Sequence, residues 1–458
     1  MLVQESPDNT VAKRPSMSFW QIINMNVGFF GIQYSFGLQQ SAINPLYTFL
    51  HAKPENLPLL NLAGPITGLL IQPIIGAVSD RTWHPKWGRR KPFFFIGAVF
   101  CSLCLFAFPF SRSLWMAAGL LWILDAANNT AMEPYRAFIA DKLTVPLRPM
   151  GFLSQSFFTG LGITLANLSL GFFKSIITGE TRTSDGQSGI PYWVFGSFFV
   201  GAVCSIVSVL WSIFTTPEIP PTDQELIELR ARAKGVLEPI KEIFSAVGSM
   251  PRIMWQLALI YLFQWYALFC YWQFASLSIA KSIFHTTSEG NKELYEQAVV
   301  ITGNVNGIYN IVTFVSAFGL VWLAKKITAK YVHVLCLIMA GLGLLVFPHI
   351  ADKNLLWIPM IGFGIAWASM MGVPYIMVVG QIPKARYGVY MGIINMMIVI
   401  PMILQTLSFG WVFKNLLGGD PAMAITFAGA LLLIAALATT FVKDAGNTET
   451  EPEFSSIH

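Results

Sequence analysis

Charge is what this sequence lacks. Only 12% of its 458 residues are Asp, Glu, Lys or Arg, against 54% that are hydrophobic, and the mean hydropathy is +0.58. A soluble domain carries about 25% charged residues, so the composition excludes a water-soluble globular protein and indicates a polytopic membrane protein. Cysteine is scarce too. Cys101, Cys104, Cys204, Cys270 and Cys336 all fall in apolar runs. Cys101 and Cys104 have the spacing of a redox or metal pair, but they sit at lipid depth with no histidine nearby and read as packing residues. The histidines His51, His84, His285, His333, His349 and His458 are scattered, with neither metal-ligand nor nucleophile–base spacing. That argues against a membrane enzyme and against a metal site. A net charge of +5 does not point to nucleic acid, because the basic residues cluster in short loops. No cleavable signal pattern is read: residues 1–17 are polar and the first apolar run is long and interrupted.

What the sequence has is apolar segments of membrane-spanning length. They fall at about 19–50, 57–79, 92–110, 113–140, 148–173, 191–214, 251–281, 297–324, 331–350, 354–380, 386–414 and 420–442. The fold expected is an all-α membrane protein of twelve transmembrane helices, some tilted or broken because they exceed the ~20 residues a bilayer needs. Lys and Arg set the orientation. With the N-terminus inside, twenty of the 29 fall on the cytoplasmic side and eight on the other, with Arg136 inside the membrane. Both termini are therefore expected to be cytoplasmic.

The longest polar connection divides the chain six and six. The expected units are a cytoplasmic tail (1–17), a first six-helix bundle (18–214), a cytoplasmic linker (215–250), a second bundle (251–442) and a C-terminal tail (443–458). Thr222-Asp223-Gln224-Glu225 is a capping box, and Glu228 stands four residues before Arg232, so a short surface helix is expected in the linker. Both tails read as short disordered ends. The halves look related. Pro134-Tyr135 and Pro374-Tyr375 lie 240 residues apart, each near the cytoplasmic end of the fourth span of its half. The charges are not duplicated: Glu133, Arg136 and Asp141 face Val373, Ile376 and Gln381. Coupling is expected in the first half.

The fourth span organises the chain. Leu121–Arg136 is apolar enough to lie in a bilayer, yet it carries Asp125, Glu133, Arg136 and the amides Asn128 and Asn129. A charge near the bilayer centre costs roughly 2.5–3.5 kcal/mol on insertion scales, so such residues usually face a cavity or a partner. At ~100° per residue Asp125, Asn129 and Arg136 fall close to one helix face, with Asp125 and Arg136 about 16 Å apart along the axis. That excludes a direct ion pair on a straight helix, whereas Glu133 and Arg136, at i and i+3, are placed to pair. Pro134 breaks a backbone hydrogen bond between them, which is tolerated mainly where it lines protein or a cavity. Asp125 reads as a protonatable coupling site and Arg136 as its electrostatic counterweight or a substrate clamp. The alternative is a polar network that only fixes helix packing.

Between spans two and three the sequence reads Gly64-Pro65-Ile66-Thr67-Gly68 through Gln72-Pro73 to Gly76-Ala77-Val78-Ser79-Asp80-Arg81, then Gly88-Arg89-Arg90-Lys91-Pro92. With Leu124–Asn129, Pro134–Asp141, Gln33 and Leu38–Ser41, this resembles the sucrose–proton symporters in the glycoside–pentoside–hexuronide branch of the major facilitator superfamily. The resemblance is strong over about 28–160 and becomes layout only in the second half. It departs at Glu133, where the plant proteins lack an acidic residue, so coupling here involves two carboxylates if Glu133 shares in it. What the resemblance implies is two parallel six-helix bundles with the site between them. It also implies a proton-coupled importer of a sugar, in the cytoplasmic membrane, with Asp125 taking the proton. No cofactor is expected beyond the proton, and a monomer is expected, with sugar and bilayer as its only partners.

The loop between spans two and three has a physical reading of its own. Asp80 at a helix end is placed to pair with Arg89 or Arg90 and latch one conformation, with Arg81 and Asp141 in the same cluster. The alternative is plain topogenic charge. A sugar needs hydroxyl partners and an aromatic face. Gln33, Gln39, Asn128, Asn129, Gln155 and Arg136 are the first-half candidates; Asn306, Trp272 and Trp367 are the main second-half ones, with Asn304, Asn310, Asn395, Gln405, Trp265, Tyr266 and Tyr271 behind them. Many such residues must serve packing or interfacial belts. A sodium-coupled or anionic-sugar carrier stays open, as does a sugar sensor without transport, although a sensor is expected to carry a larger cytoplasmic domain. Nothing in the sequence chooses between sucrose, maltose and other glycosides.

Overall fold

The computed structural model describes residues 17–143, 147–182, 188–218, 220, 247–379 and 387–442. The surface helix expected in the linker, with its capping box, and both tails lie outside the described residues, apart from the last positions before the first helix. Twelve long helices follow one another. The first half contains α1 (Phe19–Leu38), α2 (Ala63–Arg81), α3 (Lys91–Ala107), α4 (Leu114–Lys142), α5 (Arg148–Ile176) and α6 (Tyr192–Thr215). The second contains α7 (Arg252–Phe284), α8 (Lys292–Lys326), α9 (Ala329–Val346), α10 (Trp357–Val379), α11 (Tyr387–Asn415) and α12 (Pro421–Thr440). Among the described residues, ten helical segments are long and apolar enough to cross a membrane. The two below that mark are α1 and α4, the helices that carry most of the candidate amides and charges.

Local chemistry sets where several helices start. Ser18 and Gln21 form a reciprocal capping box on α1, with the Ser18 hydroxyl accepting from the Gln21 amide and the Gln21 side chain accepting from Ser18 N–H. Ser113, Asn291 and Asp420 cap α4, α8 and α12 in the same way, each satisfying a backbone donor that the first turn leaves open. Helix α1 does not stop at Leu38. It runs on through a π-helical turn (Gln39–Ile43) into a short helix (Asn44–Phe49). A π turn opens the helix by an inserted residue and is frequent at functional sites.

The repeat goes further than one Pro-Tyr pair. Pro134 lies inside α4 and Pro374 inside α10, the fourth helix of each half. The third helix of each half ends in a 3₁₀ turn on a Phe-Pro pair, Phe108–Phe110 after α3 and Phe347–His349 after α9. An even number of traverses puts the start of α1 and the end of α12 at one end of the molecule, the terminal face. The opposite end, with connections 50–56, 111–113, 177–191, 285–291, 350–356 and 416–420, is the loop face. It carries a small antiparallel hairpin, β1 (Glu180–Arg182) with β2 (Ser188–Pro191).

Within each half, small residues let backbones meet. A side-chain carbon on Gly162 of α5 would lie 2.5 Å from the Phe30 carbonyl of α1, and one on Gly364 of α10 the same distance from the Tyr309 carbonyl of α8. Without a hydrophobic force between helices in lipid, such close packing is a main source of cohesion. Between halves, the contacts gather toward the loop face. Gly303 of α8 abuts the Asn167 carbonyl of α5, and Gly410 of α11 abuts the Glu55 carbonyl ahead of α2. Lys174 of α5 pairs with Glu296 of α8, which also accepts from Trp193 Nε1 at 2.8 Å. Lys292 of α8 pairs with Glu180 and donates to the Gly189 carbonyl at 2.7 Å, tying the hairpin to the second half.

Candidate functional site

Between the bundles lies a cavity of about 720 Å³, within the ~300–1,000 Å³ typical of small-molecule sites. Its first-half wall comes from α1 with the π turn, α2, α4 and α5; its second-half wall comes from α7, α8, α10 and α11. Toward the loop face the cavity is closed by a chain of polar contacts across the halves. Tyr271 donates to Asn306 at 2.8 Å, Asn306 donates to Ser41 at 2.8 Å, and Ser41 bonds Asn167. Trp272 Nε1 donates to Tyr309, whose hydroxyl donates to Gln40, at 3.2 and 3.3 Å, and Asn44 donates to the Trp272 carbonyl.

Asp125 is on the cavity wall at 2% exposure. Gln39 of the π turn is its polar side-chain neighbour, and the backbone of Gly64 on α2 passes within reach, a side-chain carbon there standing 3.6 Å from a carboxyl oxygen. One turn on, Asn129 donates to Thr67 at 3.1 Å and accepts from Gln72 at 2.8 Å, joining α4 to α2. Arg136 lines the same cavity but is exposed, with no hydrogen bond or ion pair among the described residues. Gln33 and Gln155 are buried on this wall, and the Gln155 amide nitrogen has no partner among the described residues. A buried donor left open costs roughly 1–3 kcal/mol, which marks it as a group awaiting a ligand or water.

The opposite wall is aromatic. Trp272 and Trp367 stand edge to face with centroids 5.5 Å apart, and Trp265 meets Trp367 at 5.6 Å. Phe269, Gln273, Asn310 and Thr313 complete much of this wall, and among the described residues no ionisable side chain is on it.

Several expected residues stand elsewhere. Asn128 turns to α1 and donates to Ser35 at 2.9 Å, a helix-packing bond off the cavity wall. Asn306 is spent on the loop-face chain. Glu133 makes no ion pair with Arg136 among the described residues. Its side chain lies against α2, with the Cγ 3.7 Å from a carbon built on Gly76, while Arg136 points into the cavity. The i and i+3 directions on α4 meet different neighbours, which overrides the local pairing. Of the second-half candidates, Asn310 and Trp265 line the cavity; Tyr271 and Gln405 are buried behind it, Tyr266 bonds Ser408, and Asn304 packs near Gly171 of α5. Gln40, Asn44, Asn61, Gln72 and Gln273 are on the wall without having stood out in the sequence. The π turn brings Gln40 to the cavity beside the expected Gln39, and it has no sequence signature of its own.

At the terminal face, Arg89, Arg90 and Asp141 of the expected cluster come together, with one carboxylate that was not expected. The side chains of Asp80 and Arg81 lie outside the described residues. Arg90 pairs with Asp141 at 2.8 Å and donates to Ser79 Oγ at 2.6 Å, joining α3, α4 and α2. Arg89 Nε donates to the Ser79 carbonyl at 3.3 Å. Glu218, just past α6, accepts the backbone N–H groups of Arg89, Arg90 and Lys91 at 2.7, 2.8 and 2.9 Å. A carboxylate on these free donors is what a helix N-terminus favours. No pattern near Glu218 announced it, because its partner lies more than a hundred residues away.

Comparison with known proteins agrees with this architecture. The chain is 24% identical over 462 residues to the sucrose transport protein SUT5 of Oryza sativa subsp. indica, covering 88% of this chain and 84% of that one. It is 25% identical over 463 residues to the sucrose transport protein SUC4 of Arabidopsis thaliana, covering 90% and 89%. Among solved structures, a mutant of the nucleoside transporter NupG superposes with a TM-score of 0.70 at 15% identity, covering 92% of this chain and 98% of the other. A D-xylose-proton symporter superposes at 0.63 and 14% identity, covering 93% and 98%. The family description of the Major Facilitator Superfamily matches residues 25–406, and with twelve helices in two related bundles around a central cavity the chain belongs to that superfamily of membrane transporters.

Proposed function

We propose that this transporter is a proton-coupled symporter importing a disaccharide or related glycoside, of the sucrose or maltose type, across the cytoplasmic membrane by alternating access, with both termini cytoplasmic. The observation that carries this reading is Asp125, a carboxyl buried at 2% exposure on the wall of the central cavity. A carboxyl buried at membrane depth, with no Lys or Arg bonded to it among the described residues, is suited to carry a proton, because its charged form is costly there. Arg136, eleven residues on along α4 and in the same cavity, repels a proton from Asp125; the two ride on one helix, so it is the water screening them, admitted or excluded as the bundles move, that changes this repulsion as loading on one side and unloading on the other require. The membrane potential adds ~2.3 kcal/mol per charge per 100 mV toward uptake.

The relatives named sucrose transport proteins support the sugar. So does a wall that pairs amides with indole rings. In this reading the loop face is the outer gate, held shut by Lys174–Glu296 and the Ser41–Asn306 chain, and Arg90–Asp141 with Glu218 is the cytoplasmic latch. Glu133 is placed to tune the α2–α4 contact.

The test is sugar-triggered proton movement in de-energised cells of a host lacking disaccharide carriers. External alkalinisation with one glycoside, abolished by Asp125→Asn, is the result expected. Arg136 in the cavity favours one second reading, a carrier of anionic sugars. Absence of any pH change, together with sodium-dependent uptake of labelled glycoside or uptake of uronates alone, would overturn the proton–glycoside reading.

A further inference from the structure

The second-half wall holds polar groups that the described residues leave unsatisfied. Trp265 is 5% exposed and on the cavity wall, and its indole Nε1 has no acceptor among the described residues. Eight residues along α7, hence toward the same side of the helix, Gln273 is 2% exposed and also on the wall. Its Oε1 accepts from Gln405 Nε2 at 2.9 Å, while its own Nε2 and the Gln405 Oε1 have no partner. Turning both amides end for end leaves the same surplus, one N–H group and one carbonyl. Trp265 is a donor in any arrangement. Of the three tryptophans here, Trp272 is already satisfied by Tyr309, so it offers a ring face and no free donor.

Buried donors without acceptors are rare and mark places where a ligand or an ion belongs. The chemistry of the missing ligand follows from the wall. Among the described residues no ionisable side chain lies on it, and Asp125 and Arg136 stand on the opposite wall, so a carboxylate, phosphate or ammonium seated against the tryptophans would find no counter-charge beside it. A hydrocarbon would leave the donors open. An uncharged ring that carries oxygen acceptors on its edge and C–H groups on its face meets both demands.

We propose that Trp265 and Gln273, with the rings of Trp272 and Trp367, form a subsite that takes one neutral sugar ring by its hydroxyl or ring oxygens. The inference rests on the glycoside reading above and deepens it. It assigns substrate choice to the second half, separate from the coupling carboxyl on the first. A site built to hydrogen-bond an oxygen discriminates strongly against an analogue that lacks it.

The purified protein in lipid nanodiscs, titrated calorimetrically with sucrose, maltose and their monodeoxy analogues, tests this. Trp265→Phe and Gln273→Leu are each expected to weaken the preferred sugar about tenfold. At least one monodeoxy analogue should bind the wild type about tenfold more weakly than its parent, with that difference gone in Trp265→Phe. Both variants binding within twofold of wild type would overturn the subsite alone. So would a wild type that tolerates every deoxygenation within twofold, a result that needs no variant to fold. A wild type that binds no glycoside at all overturns the glycoside reading and the subsite with it.

Discussion

The two walls of the cavity make opposite uses of the same repeated architecture. On the first half, Asp125, Arg136 and a set of amides face the cavity, and α1 is opened by a π turn to present Gln39 and Gln40. On the second half, tryptophans take their place and the described residues of the wall are uncharged. The pairs Pro134/Pro374 and Phe108–Phe110/Phe347–His349 show that the backbones are cognate. The difference lies in side chains. A proton site needs a carboxyl whose charge is costly, while a sugar face needs flat apolar area with few, well-placed donors. In the proposed reading, separating them lets selectivity change without disturbing the coupling charge.

The comparison breaks most sharply at Asp125. Asp125→Asn is expected to abolish sugar-dependent alkalinisation and lower uphill accumulation at least ~100-fold, while counterflow of labelled sugar, which needs no net proton transfer, persists. Loss of counterflow as well would place Asp125 in sugar binding and erase the division. Next in size, Trp367→Ala should raise the half-saturating sugar concentration roughly tenfold, the scale of a lost aromatic contact of about 1.4 kcal/mol, without altering the protons moved per sugar. A changed proton-to-sugar ratio would assign coupling to both walls.

Arg136→Lys keeps a point charge and Arg136→Leu removes it. Transport should fall several-fold in the first and about tenfold or more in the second, and anionic sugars should be rejected more strongly by the leucine variant only if Arg136 touches substrate. A smaller effect is expected at the loop face. Glu296→Gln weakens Lys174 and Trp193 together; a loss of about 1 kcal/mol moves the balance of conformations roughly fivefold toward opening there. Labelling rates of single cysteines placed near Gly303 would report it. Smallest is Asn128→Ala, whose lost bond to Ser35 should cost about 1 kcal/mol of stability and leave sugar selectivity unchanged.

The sequence displayed the spans, the two-fold layout and the fourth helix as the carrier of intramembrane charge, because hydropathy and intramembrane charge act locally along the chain. Asp125, Asn129 and Arg136 were legible on that basis. Asn128 and Asn306 looked equally suitable, and the structure spends them on packing and on closing the loop face. An amide at membrane depth carries the same sequence signal whether its neighbour is a helix or a ligand. The latch cluster was legible in Arg89, Arg90 and Asp141, of which Arg90 meets Asp141; the side chains of Asp80 and Arg81 lie outside the described residues, and the carboxylate on the α3 N-terminus, Glu218, was not foreseen.

By itself the sequence determined that this chain is a membrane protein of many helices with ionisable groups inside one span, since too little charge and too much apolar length leave no other stable arrangement. Tertiary structure alone decided which polar groups are free to act. Whether Gln39, Gln155, Trp265 or Gln273 has a partner depends on side chains that are distant in the chain and adjacent in space. A buried hydrogen bond is made or missing by fractions of an ångström that no one-dimensional pattern records.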